Sequence, residues 1–156
     1  MMGGGGQQLQ QISQQLQALD AEIETLEGEI DELQTESDEI DDAIEAIETL
    51  ESGSMVQVPL GGDAYVQAEI QDIDEIIVSL GGGYAAEQGQ DSAISALEHK
   101  QETIAERIGE VEAEIEELED ESSDLEKQAQ AMQQRMQQQQ QQQMSKMEQM
   151  QSGDEE

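Results

Sequence analysis

The chain has 156 residues, 39 of them Asp or Glu against five Lys or Arg, a formal net charge of −34, one His, no Cys and two aromatic side chains. That balance excludes nucleic-acid binding through a basic face, and the lack of Cys beside a lone His99 excludes thiolate and His-based metal sites and thiol nucleophiles. With only Tyr65 and Tyr84 as large rings to fill a core, a conventional globular enzyme is not expected, and neither is a cofactor.

Residues 1–6, with four glycines in a row, are expected to form a flexible leader; no Lys-Ser/Thr follows the glycines, so they are not a phosphate loop. Residues 7–51 carry a heptad seam of Leu9, Ile12, Leu16, Leu19, Ile23, Leu26, Ile30, Leu33, Ser37, Ile40, Ile44 and Ile47, with steps of three and four in strict alternation. High charge and low hydropathy are a mark of disorder, but a disordered acidic segment has no reason to hold such a register, and the spacing predicts one long coiled-coil helix.

The same segment holds fifteen acids and no base between Asp20 and Glu51. Like charges three or four residues apart on a helix repel. Salt near 1 M shortens the Debye length to about 3 Å and silences most of that repulsion, so a salt-rich cytosol is the expected setting.

Residues 52–90 change character. Ser52-Gly53-Ser54 ends the helix, and Val56, Val58, Pro59 and Leu60, then a glycine turn, then Tyr65, Val66 and Ile70 read as a β-hairpin. Ile76, Ile77, Val78 and Leu80, a second glycine turn and Tyr84 repeat the pattern. Asp72 and Asp74 lie between the hairpins without the spacing of a calcium loop and read as a turn. The run Ile76-Ile77-Val78 is the longest purely aliphatic one, too short for a membrane span or a signal-peptide core, so a soluble cytoplasmic protein is expected.

Residues 91–136 carry a second seam of Ile94, Leu97, Gln101, Ile104, Ile108, Val111, Ile115, Leu118, Ser122, Leu125, Ala129, Met132 and Met136. Residues 137–156, rich in Gln and Met with an acidic end, are expected to fray or be disordered. The fold class expected is mainly α: a long antiparallel two-helix coiled coil with a four-stranded insert of two β-hairpins. A two-helix seam closes only partly, and short strands with no helix over them offer open edges. The inserts are therefore expected to assemble into an oligomeric β-barrel body.

Val58-Pro59-Leu60-Gly61, Tyr65-Val66, Ile76-Ile77-Val78-Ser79-Leu80-Gly81, Gly83-Tyr84 and Glu87 together resemble the two-hairpin signature of the prefoldin family, and two hairpins rather than one resemble its alpha class. The resemblance covers about residues 9–136, with its specificity in the insert. It implies an ATP-independent co-chaperone in a hexamer of two alpha and four beta subunits that holds unfolded polypeptides and passes them to a group II chaperonin. The acid-rich composition is similar to that of a version from a salt-accumulating archaeon. The resemblance also implies that clients are held at the coiled-coil tips, here Leu9, Ile12 and Leu16 on one helix and Leu125, Ala129, Met132 and Met136 on the other. Glutamine surrounds these residues and acids are scarce, which suits exposed apolar seam, and methionine suits promiscuous contact. The alternative is a structural coiled-coil scaffold that assembles one specific complex through its β insert.

Overall fold

The computed structural model describes residues 4–153. Its elements run, in chain order, helix α1 (Gly4–Thr49), strands β1 (Met55–Gly61), β2 (Ala64–Glu69), β3 (Ile76–Gly81) and β4 (Tyr84–Gln88), and helix α2 (Gln90–Ser152). The fold is mainly α, with two long helices and two small antiparallel hairpins. The chain divides into two compact units, residues 30–110 and residues up to 29 with those from 111 onward.

Every seam position named above is buried or half-buried, while Glu, Asp and Gln cover the other faces of both helices. Packing of an amphipathic stripe, more than intrinsic propensity, holds helices of this length in water.

In the 30–110 unit the buried cluster is Ile40, Val78, Ala93, Leu97 and Ile104, with Leu33, Ile44, Ile47, Ile76 and Ile108 packed against it. The two polar interruptions of this part of the seam meet each other: the Gln101 side-chain amide donates to the Ser37 carbonyl at 3.1 Å and to Asp41 Oδ1 at 2.6 Å. Any one-residue slip breaks both bonds, so Gln101 pins the antiparallel register of this segment, as polar seam residues do in coiled coils.

Gln90 joins the end of α1 to the start of α2. The last carbonyls of a helix lack intrahelical donors, and Gln90 Nε2 donates to the Ile47 carbonyl at 2.6 Å. The Gln90 N–H in turn donates to Asp74 Oδ1 at 3.4 Å, so a residue from the hairpin connection caps α2. Gln90→Ala removes the partly buried bond to Ile47 and is expected to cost about 1 kcal/mol. A denaturant midpoint that falls with an unchanged slope, at fixed salt, checks it.

Both hairpins turn through two residues with positive φ, Gly62 (59°) and Asp63 (62°) in the first and Gly82 (62°) and Gly83 (82°) in the second. These are the type I′ values that match the twist of paired strands. The hairpins repeat at an offset of 20 residues, including the irregularity between Pro59 and Gly61 and its counterpart between Ser79 and Gly81. They form two separate two-stranded sheets.

Three expectations are corrected. Gly4–Gly6 belong to α1 rather than to a flexible leader, and Met1–Gly3 lie outside the described residues. The reason is contact: a methyl added at Gly5 would sit 3.3 Å from Met136 Cε, so the bare backbone there seats the methionine. Residues 137–152 continue α2 instead of fraying, because Gln, Met, Lys and Glu are all good helix formers and no Gly or Pro intervenes before Gly153; residues 154–156 lie outside the described residues. Finally, the strands do not all lack helix cover, since Ile76 and Val78 of β3 pack on Ile40, Ala93, Leu97 and their neighbours.

Candidate functional site

Alternation along β1 places Val56 and Val58 on one face, and the register sets them opposite Ala68 and Val66 of β2. The corresponding face of the second hairpin carries Ile76 and Val78 opposite Gln88 and Ala86. The two faces meet different fates. Val78 is only 5% exposed against the helices, whereas Val58, its counterpart, is 41% exposed and Val66 46%. The same strand chemistry is thus satisfied within the chain in one hairpin and left open in the other.

Of the residues assigned to the insert surface, Val58, Leu60, Tyr65, Val66, Ile77, Leu80 and Tyr84 are exposed large apolar side chains, and Pro59 is exposed with them. Val56, Ile70 and Ile76 are half-buried. Val78 is corrected to a residue of the chain's own core, because β3 lies on the helix pair. Met55, 62% exposed at the start of β1, belongs with the open surface and was missed because it precedes the valine alternation and sits on the opposite face from Val56. Among the described residues each hairpin also has two strand edges without a neighbouring strand, and open edges with apolar side chains are a template for pairing with another chain.

In the other unit, Leu9, Ile12, Leu16, Leu125, Ala129, Met132 and Met136 are all half-buried, so the structure brings the two sets of end residues together as partly closed seam. Ile12 and Met132 line one groove with Gln15, Gln128, Ala131 and Arg135. Gly5 and Met136 line another with Gln139, Gln143 and Lys146. Past Met136, α2 runs on fully exposed, and Met144, Met147 and Met150 are 72%, 72% and 80% exposed. Their three-residue spacing was visible in the sequence, but the neighbouring glutamine run read as disorder.

The remaining polar groups have structural tasks. Asp72 Oδ1 accepts the Asp74 N–H at 3.0 Å, and Asp74 caps α2. His99 lies 3.6 Å from Glu102 on an exposed face. Among the described residues no cluster of three or more His, Cys, Asp or Glu is placed to hold a metal ion, and no helix is long and apolar enough to cross a membrane.

The model of the family described as Prefoldin subunit matches residues 19–142. The prefoldin subunit alpha of Halorubrum lacusprofundi is 68% identical over 112 residues, covering 72% of this chain and 74% of that one. Among solved structures, a chain of the filamentous PFD of Methanocaldococcus jannaschii, seen by cryo-electron microscopy, superposes with a TM-score of 0.51 at 26% identity, over 76% of this chain and 95% of that one. The prefoldin beta subunit from Thermococcus strain KS-1 gives 0.53 at 20% identity over 80% and 90%, a likeness of fold alone. Two hairpins between two long helices, the insert signature and these matches agree: the chain belongs to the prefoldin subunit family, in its alpha class.

Proposed function

We propose that this chain is the alpha subunit of an ATP-independent cytoplasmic co-chaperone that captures unfolded polypeptides at the free ends of its helices and hands them to a group II chaperonin. Prefoldin is a family of non-enzymatic chaperones, and membership supports the chaperone role. Two copies join four beta subunits through their β inserts, which close together into a barrel-like body. The open face around Val58 and Val66 and the free strand edges support this assembly.

Capture rests on one observation. In a chain of net charge −34, the helix ends that pair Gly5 with Met136 carry grooves lined by Gln, Met, Ala131 and Ile12 with the cations Arg135 and Lys146 and no carboxylate, followed by three exposed methionines. Flexible, polarizable methionine adapts to many apolar sequences, and several weak sites held on one body add through effective concentration. Release then needs no nucleotide, only a competing surface.

Removing residues 1–16 and 129–156 is expected to abolish suppression of aggregation of a denatured client at molar salt, while the mass of the assembled complex falls only by the deleted residues. Light scattering and turbidity read the two quantities. Suppression that survives the deletion overturns the reading and leaves a scaffold built through the β insert.

A further inference from the structure

The five basic residues of this chain are Lys100, Arg107, Lys127, Arg135 and Lys146. Arg107 lies 3.4 Å from Glu110 and His99 lies 3.6 Å from Glu102, as expected where carboxylates are everywhere. Among the described residues Lys100, Lys127, Arg135 and Lys146 make no ion pair or hydrogen bond, but Lys100 shares its groove with Glu36 and Lys127 has Asp124 three residues before it, whereas no carboxylate lies beside Arg135 or Lys146 in the grooves they line. The cause is in the sequence. On a helix, partners sit three or four residues away, and those positions around Arg135 are Ala131, Met132, Gln138 and Gln139, while those around Lys146 are Gln142, Gln143, Gln149 and Met150. None of these eight positions carries a carboxylate, and five of them are glutamine.

Each of these two cations lines one of the two end grooves, Arg135 beside Met132 and Lys146 beside Met136. They are eleven residues apart, which is three helical turns, about 16 Å along the axis, with a drift of roughly 20°. The next residue is methionine in both cases, Met136 and Met147, so a cation–thioether pair recurs on nearly one face of α2.

We propose that this face selects acidic, apolar segments of unfolded polypeptide: side chains such as leucine lie on the methionines while carboxylates of the same segment meet Arg135 and Lys146. The inference rests on the capture reading above and names its substrate class. Charge complementarity argues for this occupant. A basic segment is repelled here and attracted instead to the fifteen acids between Asp20 and Glu51, whereas an acidic segment is repelled from those acids and meets, in the two end grooves, cations with no carboxylate in the lining beside them. Near 1 M salt, interactions beyond about 3 Å are screened, so discrimination comes from direct contact in the groove and not from long-range attraction.

The test measures binding of three labelled 16-residue peptides with one leucine pattern and flanking Glu, Gln or Lys, to the full chain and to the R135Q/K146Q variant in molar KCl. Both substitutions are on exposed helix positions and preserve helix propensity, which circular dichroism verifies. The Glu peptide is expected to bind the unaltered chain roughly three- to ten-fold more tightly than the Gln peptide, as two exposed ion pairs allow. In the variant the two peptides become equal. Equal affinities for the unaltered chain, or a preference that persists in the variant, overturn the proposal while leaving capture intact. No binding of any peptide overturns both. A fall in the mass of the unbound chain on making R135Q/K146Q shows that a second copy occupies the face, and overturns it as well.

Discussion

Moved from molar to millimolar salt, the chain is expected to lose most of its helical circular dichroism. Within α1, acidic side chains stand three residues apart in seven pairs and four apart in five, with no basic residue between Asp20 and Thr49 to offset them. At roughly 0.2 to 0.5 kcal/mol for each like-charged pair, the unscreened cost is about 2 to 6 kcal/mol, comparable with the whole stability of many domains. The Debye length grows from about 3 Å at 1 M to about 30 Å at 0.01 M, so pairs that are silent in strong salt interact fully in weak salt. Sucrose separates this cause from a general strengthening of burial, since it is excluded from protein surfaces without screening charge. KCl should restore the helix and sucrose should not. Equal helicity at both salt concentrations contradicts the electrostatic account.

A second large effect is expected at Val78, and the repeat supplies its control. Val78→Asp places a carboxylate in the apolar cluster of Ile40, Ala93, Leu97 and Ile104. An uncompensated buried charge costs about 3 to 5 kcal/mol. The second hairpin relieves that cost only by leaving the helices, which exposes the cluster, so the melting midpoint at fixed molar salt should fall steeply. Val58→Asp changes the equivalent position of the first hairpin, which is 41% exposed, and should alter the stability of the isolated chain by well under 1 kcal/mol. If the open face of that hairpin is the assembly surface, however, Val58→Asp should abolish the proposed assembly with beta subunits, measured by light scattering. Equal melting behaviour of the two variants contradicts the packing of β3, and a complex that persists with Val58→Asp contradicts assembly through that face.

The pair Val58 and Val78 also marks where sequence reading stops. Both valines stand in the same local pattern, two residues before a bulged leucine–glycine and a type I′ turn. Alternation shows that each belongs to an apolar face. Whether that face is covered depends on which hairpin the chain brings against Ile40 and Leu97, residues far away in sequence. The same limit applies to the polar seam positions. Ser37 and Gln101 appear as two separate interruptions of two heptad runs, and only their meeting across the helix pair makes them a register lock. Asp74 reads as turn residue and becomes the cap of a helix that starts sixteen residues later.

At the helix ends the reading went wrong in one direction. Glycines at 4–6 and glutamines after 136 look like chain that will not order, because composition is the only local signal there. The seam list, by contrast, holds at every position from Leu9 to Ile47 and from Ile94 to Met136. Met136 rests on Gly5, and among the described residues Met144, Met147 and Met150 beyond it remain exposed.

By itself, then, the sequence determined the two helices, their buried stripes, the two hairpins and the charge from which the salt dependence is expected. Each of these is carried by residues within a few positions of one another, through a period of 3.5 or 2, a glycine turn, or repulsion along one helix. Only the tertiary structure decided which hairpin face is closed and which is open, which polar groups satisfy one another, and that the seam closes at Gly5 and Met136 while α2 runs on exposed beyond it. Those outcomes depend on contacts between distant parts of the chain, and no local pattern encodes which distant residue arrives.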